Sequence, residues 1–275
     1  MKRLRLFIQA ALVAATAVAG VRFAMGSSLT SVEKYCPFGG VETAYALLFQ
    51  KRFACAAGEL NLALFLALLG LTFLARKSFC AWVCPVGAVF EWTGKLGRRL
   101  FKRKTFHGLW KIPAKADAAL KATLRLAVLT AILAATWATG ELVFRGFDPY
   151  YILFSAHGHE VRMWSYGILG GLLVLGLFLP LAWCKYLCPL GAAIWPLSRV
   201  GRLRLRRSAV DCTGFGAFDR ACPHALEVSG VAEVTSGECT LCLECTEACP
   251  APGALALHAR GVGPRRGGHP LQVLA

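Results

Sequence analysis

Long runs of apolar residues, separated by stretches rich in charge, dominate this chain. A hydrocarbon layer about 30 Å thick takes roughly 20 mostly apolar helical residues to cross, and four runs approach that length. Residues 164–183 carry a tryptophan at each end and no aspartate, glutamate, lysine or arginine between them, as interfacial aromatics would have it. Residues 126–144 are nearly as apolar, with Glu141 near the far end, while 6–24 carries Gln9 and Arg22, and 59–75 is short. The pattern predicts four membrane helices at about 6–24, 59–75, 126–144 and 164–183. A smaller, cysteine-rich unit follows.

The first run has a rival reading. Met1-Lys2-Arg3-Leu4-Arg5, the apolar stretch and Ala17-Val18-Ala19 look like a signal peptide with its cleavage site. An internal repeat weighs against cleavage: residues 4–20 align without gaps on 124–140, with eight identities in seventeen, from Leu-Arg-Leu at one end to Gly at the other. The third run is internal and cannot be a signal, which favours keeping its twin.

Composition changes the picture by exclusion. Apolar residues make up 56% of the 275 and charged residues 17%, too greasy for a solvated globule of this size. The formal charge is +16. A nucleic-acid partner would explain the charge but not the hydrophobicity, whereas a multi-span membrane protein explains both. The segments before span one, between spans two and three and after span four, with Arg125, hold 25 of the 31 Lys and Arg. By the positive-inside bias that side is cytoplasmic, with both termini inside and the loops around 25–58 and 145–163 outside. The basic run at 95–104 suits anionic headgroups or an acidic electron carrier.

Twelve cysteines carry the chemistry. The strongest signal is Cys239-x2-Cys242-x2-Cys245-x3-Cys249-Pro250, the bacterial ferredoxin spacing for a 4Fe–4S cluster. A zinc site needs only a CxxC pair and its partner, so the full register with its proline points away from zinc. A second copy, Cys212, Phe215, Phe218 and Cys222-Pro223, has phenylalanine at its two middle positions. With the crossed connectivity of two-cluster ferredoxins, Cys239, Cys242, Cys245 and Cys222 form a complete ligand set. Cys212 and Cys249 are the residue of an incomplete one, with the two rings filling the vacated volume. One conventional cluster is expected here.

Two further pairs follow spans two and four: Cys80-x3-Cys84-Pro85-Val86-Gly87-Ala88 and Cys184-x3-Cys188-Pro189-Leu190-Gly191-Ala192. Residues i and i+4 share a helix face, so each pair can present two sulfurs together, and the halves read as parallel repeats. Four convergent thiols can hold a further cluster or metal, or work as a dithiol relay; the bland alternative is reduced, uncoordinated cysteine. Cys36 and Cys55, outside in this topology, can pair as a disulfide, although Cys36-Pro37-Phe38-Gly39 matches the other CP-x-G elements, so their role stays open. His157, His159 and Glu160, just after Asp148, are candidate proton acceptors for a quinol oxidised near the outer face, against the plainer reading of a solvated polar loop. Gly167, Gly170, Gly171 and Gly176 are expected to bring helices close together. No phosphate loop, catalytic triad, flavin or nicotinamide fingerprint appears.

With the two C-x3-C-P pairs at inner span ends and a ferredoxin-type motif behind them, the chain resembles the membrane-bound 4Fe–4S proteins related to NapH, the quinol-dehydrogenase membrane subunit of periplasmic nitrate reductase systems. The C-terminal part of the nitrous-oxide regulator NosR and the oxidase-assembly protein CcoG are similar. The resemblance covers roughly residues 1–258. It implies four spans, cytoplasmic termini, two cytoplasmic clusters and passage of electrons from quinol toward periplasmic reductases. It carries over Cys80, Cys84, Cys184 and Cys188 as the paired membrane motifs and Cys222, Cys239, Cys242, Cys245 and Cys249 as ferredoxin positions. Phe215 and Phe218 depart from a two-cluster member.

The expectation is therefore an all-α membrane domain over 1–207, of four helices in two parallel two-helix repeats. A small cytoplasmic ferredoxin-like α+β module follows over 208–258, and then a disordered tail over 259–275. The function expected is electron transfer in a bacterial inner membrane, as a component of a quinol dehydrogenase or a similar oxidoreductase complex. Its partners are membrane lipids, quinol and redox proteins. The alternative is a maturation factor whose C-x3-C-P thiols pass on or reduce copper, since soft thiolates suit Cu(I). A purely structural anchor leaves the cluster motif unexplained.

Overall fold

The computed structural model describes residues 1–25, 36–50, 58–102, 114–139, 143–155, 163–207, 216–248 and 254–259. The chain is mainly helical. In order come α1 (Lys2–Ala24), α2 (Pro37–Gln50), α3 (Gly58–Ala75), α4 (Ser78–Trp82), α5 (Pro85–Leu100) and α6 (Ala114–Thr139). A 3-10 turn (Val143–Gly146) leads to α7 (Pro149–Phe154) and α8 (Met163–Phe178), and a π turn (Trp183–Leu187) to α9 (Pro189–Ala193) and α10 (Trp195–Val200). Among the described residues two helices, Lys2–Ala24 and Ala116–Thr139, are long and apolar enough to cross a membrane; Glu59–Ala75 and Met163–Phe178 are apolar but shorter.

The third and fourth runs differ from expectation. Helix α6 starts well before residue 126 because its early charges find partners: Lys121 pairs with Asp117 and Tyr186 donates to Asp117 at 2.6 Å. It ends at Thr139 rather than 144. Helix α8 stops at Phe178 because Pro180 cannot continue it and Leu181 is left-handed (φ 59).

Equivalent elements of the two halves make equivalent contacts, both within each half and across them. Helix α1 packs on α5 and α7, while α6 packs on α9 and α2; α5 lies on α8, and α10 on α3. The close approaches are made by glycines other than those in 167–176. A Cβ at Gly97 would sit 2.1 Å from the Leu177 carbonyl oxygen, whereas Gly167, Gly170 and Gly171 face open space, and Gly176 alone of that group has a neighbour, Thr93 at 3.4 Å. Among the described residues the expected glycine-mediated packing of α8 is met at Gly176 alone, against Thr93 and Phe90 of α5.

A second core follows the helices. Strand β1 (Leu203–Arg207) pairs antiparallel with β2 (Leu255–Ala259), from Leu203 opposite Ala259 to Arg207 opposite Leu255. Between them lie α11 (Ala217–Ala221) and α12 (Glu244–Glu247). The expected boundary at 208 falls directly after β1. The core gathers Leu205, Phe218, Val228, Val234, Cys239, Leu241, Cys245 and Leu255. Phe218 is buried there in one core with Cys239 and Cys245; Phe215, Cys212, Cys249 and the tail after 259 lie outside the described residues.

Candidate functional site

The C-P-x-G element has a local explanation. Proline has no N–H and is preset for the first helical position, so the residue before it becomes the N-cap. Cys84 caps α5 and Cys188 caps α9; each sulfur accepts the N–H of the glycine three residues on, Gly87 and Gly191, at 3.4 Å. A Cβ at Gly87 would lie 2.3 Å from the Cys80 carbonyl oxygen, so only glycine lets the turn close. The two cysteines of a pair therefore do not share one continuous helix face. The first stands on α4 or in the π turn, the second caps the next helix, and the partial positive charge of a helix N-terminus points at its sulfur.

All four thiols face one cavity of about 410 Å³. Burial raises all four above the ordinary cysteine range. Cys84 reaches about 12, with the Gly87 N–H pulling it down, while Cys80 and Cys184 are raised further by the neighbouring thiols. Four such groups become thiolates when cations compensate them, which couples metal binding to proton release. Among the described residues no three Cys, His, Asp or Glu side chains close around a point as ligands of one ion do. In a cubane cluster each thiolate instead binds a different iron.

At one end of the cavity Cys36 donates to Asp148 Oδ2 at 3.1 Å, while Asp148 caps α7 by accepting the Tyr150 N–H at 3.0 Å. Cys36-Pro37 and Asp148-Pro149 open the matching helices α2 and α7, so this pair joins equivalent positions of the two halves. Burial pushes Asp148 up to about 6. Among the described residues Cys36 has no disulfide partner; Cys55, the partner considered for it, and His157, His159 and Glu160 lie outside the described residues.

The other end of the cavity reaches Cys242, His224 and Glu238. Here Cys222, Cys239, Cys242 and Cys245 line a second, narrow pocket in the small core, three from one loop and the fourth from the earlier motif. Left-handed Leu241 (φ 47) and Leu243 (φ 59) bend the loop between the cysteines. The Leu226 N–H reaches the Cys222 sulfur at 3.5 Å, and backbone N–H groups of Leu241 and Glu244 bond Cys239 and Cys242. Four thiols lining one narrow, mainly apolar pocket, with amide protons on the sulfurs, are a donor set that suits a 4Fe–4S cluster.

The helical part grips this loop along its length. Arg76, fully buried and left-handed (φ 58), donates to the carbonyls of Ser198 at 3.1 Å, Val234 at 2.6 Å, Thr235 at 2.9 Å and Ser236. Ser198 Oγ bonds the Gly237 carbonyl, and the Trp82 indole N–H the Leu241 carbonyl at 3.0 Å. Lys95 turns inward to Glu91 at 2.7 Å and Glu244 at 3.0 Å, so it is not part of a free basic face; Arg103 and Lys104 lie outside the described residues. Sequence reasoning missed Arg76, His224, Glu238 and Glu244. The glutamates stand as spacers or neighbours of the cysteine motif, and only the fold reveals their partners.

The family described as 4Fe-4S binding domain matches residues 58–104 and 161–208, the two segments that carry the C-x3-C-P pairs. Among curated relatives, YccM of Escherichia coli (strain K12), whose name assigns it to electron transport, is 30% identical over 233 residues, 79% of this chain and 63% of its own. The methylamine utilization ferredoxin-type protein MauN of Methylobacillus flagellatus is 31% identical over 154 residues, 54% of this chain and 48% of its own. The ferredoxin-type protein NapH of E. coli is 26% identical over 190 residues, 63% and 59%. The chain thus spans less than two thirds of the length of each of these. No solved structure matches it.

Proposed function

The chain belongs to the ferredoxin-type electron-transport proteins of the NapH/NosR family, and from that premise we propose that it carries electrons across the inner part of a membrane, between a quinol site and the small cysteine core. It is an iron–sulfur protein. The proposal assigns Cys222, Cys239, Cys242 and Cys245 to one cluster and Cys80, Cys84, Cys184 and Cys188 to another. It places α1, α3, α6 and α8 as four spans in two parallel repeats with the termini inside. Support for the spans comes from outward apolar side chains that water would disfavour, among them Phe7 (71% exposed), Leu66 (58%) and Val174 (56%). Support for the repeats comes from the matching contacts of the halves.

One observation carries the reading. A single cavity joins the Cys36–Asp148 pair, the four C-x3-C-P thiols and Cys242. Clusters bound by these thiolates supply one-electron chemistry. The protein's own groups do the rest. Leu12 and Thr16 of α1 with Leu64 and Leu71 of α3 give the cavity an apolar flank through which a lipid-soluble ring can enter. Trp183, stacked on Phe144 at 6.3 Å, walls it. Asp148 Oδ2, held by the Cys36 thiol, is placed to accept a hydroxyl proton.

The test is quinol-driven reduction of the protein in proteoliposomes, followed by EPR. A signal that appears with quinol and is lost in Asp148→Ala supports the reading. A protein that dithionite reduces and quinol does not contradicts the quinol assignment.

A further inference from the structure

The repeated Leu-Arg-Leu segments place Arg5 on α1 and Arg125 on α6 at equivalent positions, 120 residues apart. Both side chains are buried, 2% and 3% exposed, where an arginine needs a strong reason to be. Each finds a glutamate of the small core. Arg125 makes a bidentate pair with Glu238, Nη1 to Oε1 and Nη2 to Oε2 both at 2.9 Å, and Lys77 joins at 3.3 Å. Arg5 bonds Glu244, and also Glu91 Oε1 of α5 at 2.6 Å, with Lys95 bridging both glutamates. Glu238 immediately precedes Cys239, and Glu244 immediately precedes Cys245. The two repeats thus reach out with the same residue and seize the same loop, each next to a cysteine. Nothing in a helix-packing role calls for this coincidence.

We propose that Arg5 and Arg125 are positioning residues that fasten the cysteine loop to the helical domain at two equivalent points and hold positive charge beside its cluster. The proposal rests on the assignment of Cys222, Cys239, Cys242 and Cys245 as cluster ligands. Five cations (Lys2, Arg5, Lys77, Lys95, Arg125) face three carboxylates (Glu91, Glu238, Glu244) around the loop, leaving two excess positive charges. Reduction adds negative charge, so the excess favours the reduced state. Cluster potential follows net charge and burial.

The test is an EPR-monitored redox titration of the full chain, alone and as Arg5→Gln, Arg125→Gln, Arg125→Lys and Glu238→Gln. Loss of an arginine is expected to lower the midpoint potential of the loop cluster, and loss of Glu238 to raise it, although both break the same contact. Arg125→Lys is expected to restore the potential more than the contact. Protease cleavage within 203–248 should rise in both Gln variants at position 125 and position 238. A purely structural contact would move the potential in one direction for both, and that result, or no shift in any variant, overturns the proposal. Absence of the loop signal in the unmodified chain, or a signal that survives Cys239→Ser, overturns the ligand assignment beneath it. Should Arg125→Gln fail to assemble, Arg5→Gln against Glu244→Gln gives the same comparison of signs across the other contact.

Discussion

Replacing Arg76 by methionine removes the most heavily bonded side chain between the two parts of the molecule. Its guanidinium serves four carbonyls. Thr235 is exposed and Ser236 half-buried, so water can take over their oxygens, but Ser198 and Val234 are buried and theirs are stranded. A hydrogen bond to a charged group contributes about 1.5–3 kcal/mol, so the two buried carbonyls put the loss at about 3–6 kcal/mol. Arg76→Gly separates two causes. Glycine relieves a left-handed backbone by about 1–2 kcal/mol while still losing the clamp, and so should cost less than methionine but remain destabilising. Arg76→Lys reaches fewer carbonyls and should fall between wild type and methionine. Thermal unfolding in detergent gives the order of the variants, and hydrogen exchange of amides 234–242 locates the effect. A glycine variant as stable as wild type, with unchanged exchange, would refute the clamp.

Other consequences follow from the same geometry. Burial raises the Asp148 carboxyl from 3.8 to about 6, so the folded state binds more protons than the unfolded between those values. Stability should therefore fall as pH rises from about 4 to 6, reaching a penalty of about 3 kcal/mol above that window. Asparagine caps a helix as well as aspartate does, so Asp148→Asn should be the more stable protein at pH 7 and equal to wild type below pH 4; a pH-independent difference would sink the argument. Gly97→Ala drives a Cβ against the Leu177 backbone and should cost about 1–3 kcal/mol. Gly170→Ala meets nothing within 4 Å and should be neutral or stabilising by about 1 kcal/mol. Equal melting temperatures for the two would show that α5 and α8 are not in close contact.

Much of the helical layout was legible because it rests on local pattern. Apolar runs place α1, α3 and the start of α8, and the spacing of cysteines places the cysteine loop, within a few residues. What the pattern hides is partnership at a distance. Helix α6 extends into charged sequence because Tyr186, Lys121 and Glu238 satisfy its charges, and Glu238 is remote in the chain. The thiols of Cys84 and Cys188 look like helix-face residues by spacing, yet the proline after each converts them to caps. The match between Cys36-Pro37 and Asp148-Pro149 is invisible to a search for identical residues, since a thiol stands opposite a carboxylate. The folded contact between them exposes it. Glycines in α8 suggested close packing by composition alone, while the close approach belongs to Gly97, inside an otherwise basic helix.

The central claim is that this chain holds iron on two sets of four cysteines, one around the cavity and one in the small core. Iron and acid-labile sulfide per chain, measured after anaerobic reconstitution in wild type and in the Cys80/Cys84/Cys184/Cys188→Ser variant, test it most directly. Serine keeps both helix caps, so the variant should fold. Two 4Fe–4S clusters predict about eight irons in wild type and about four in the variant. Equal iron in the two proteins would contradict the assignment of the cavity thiols.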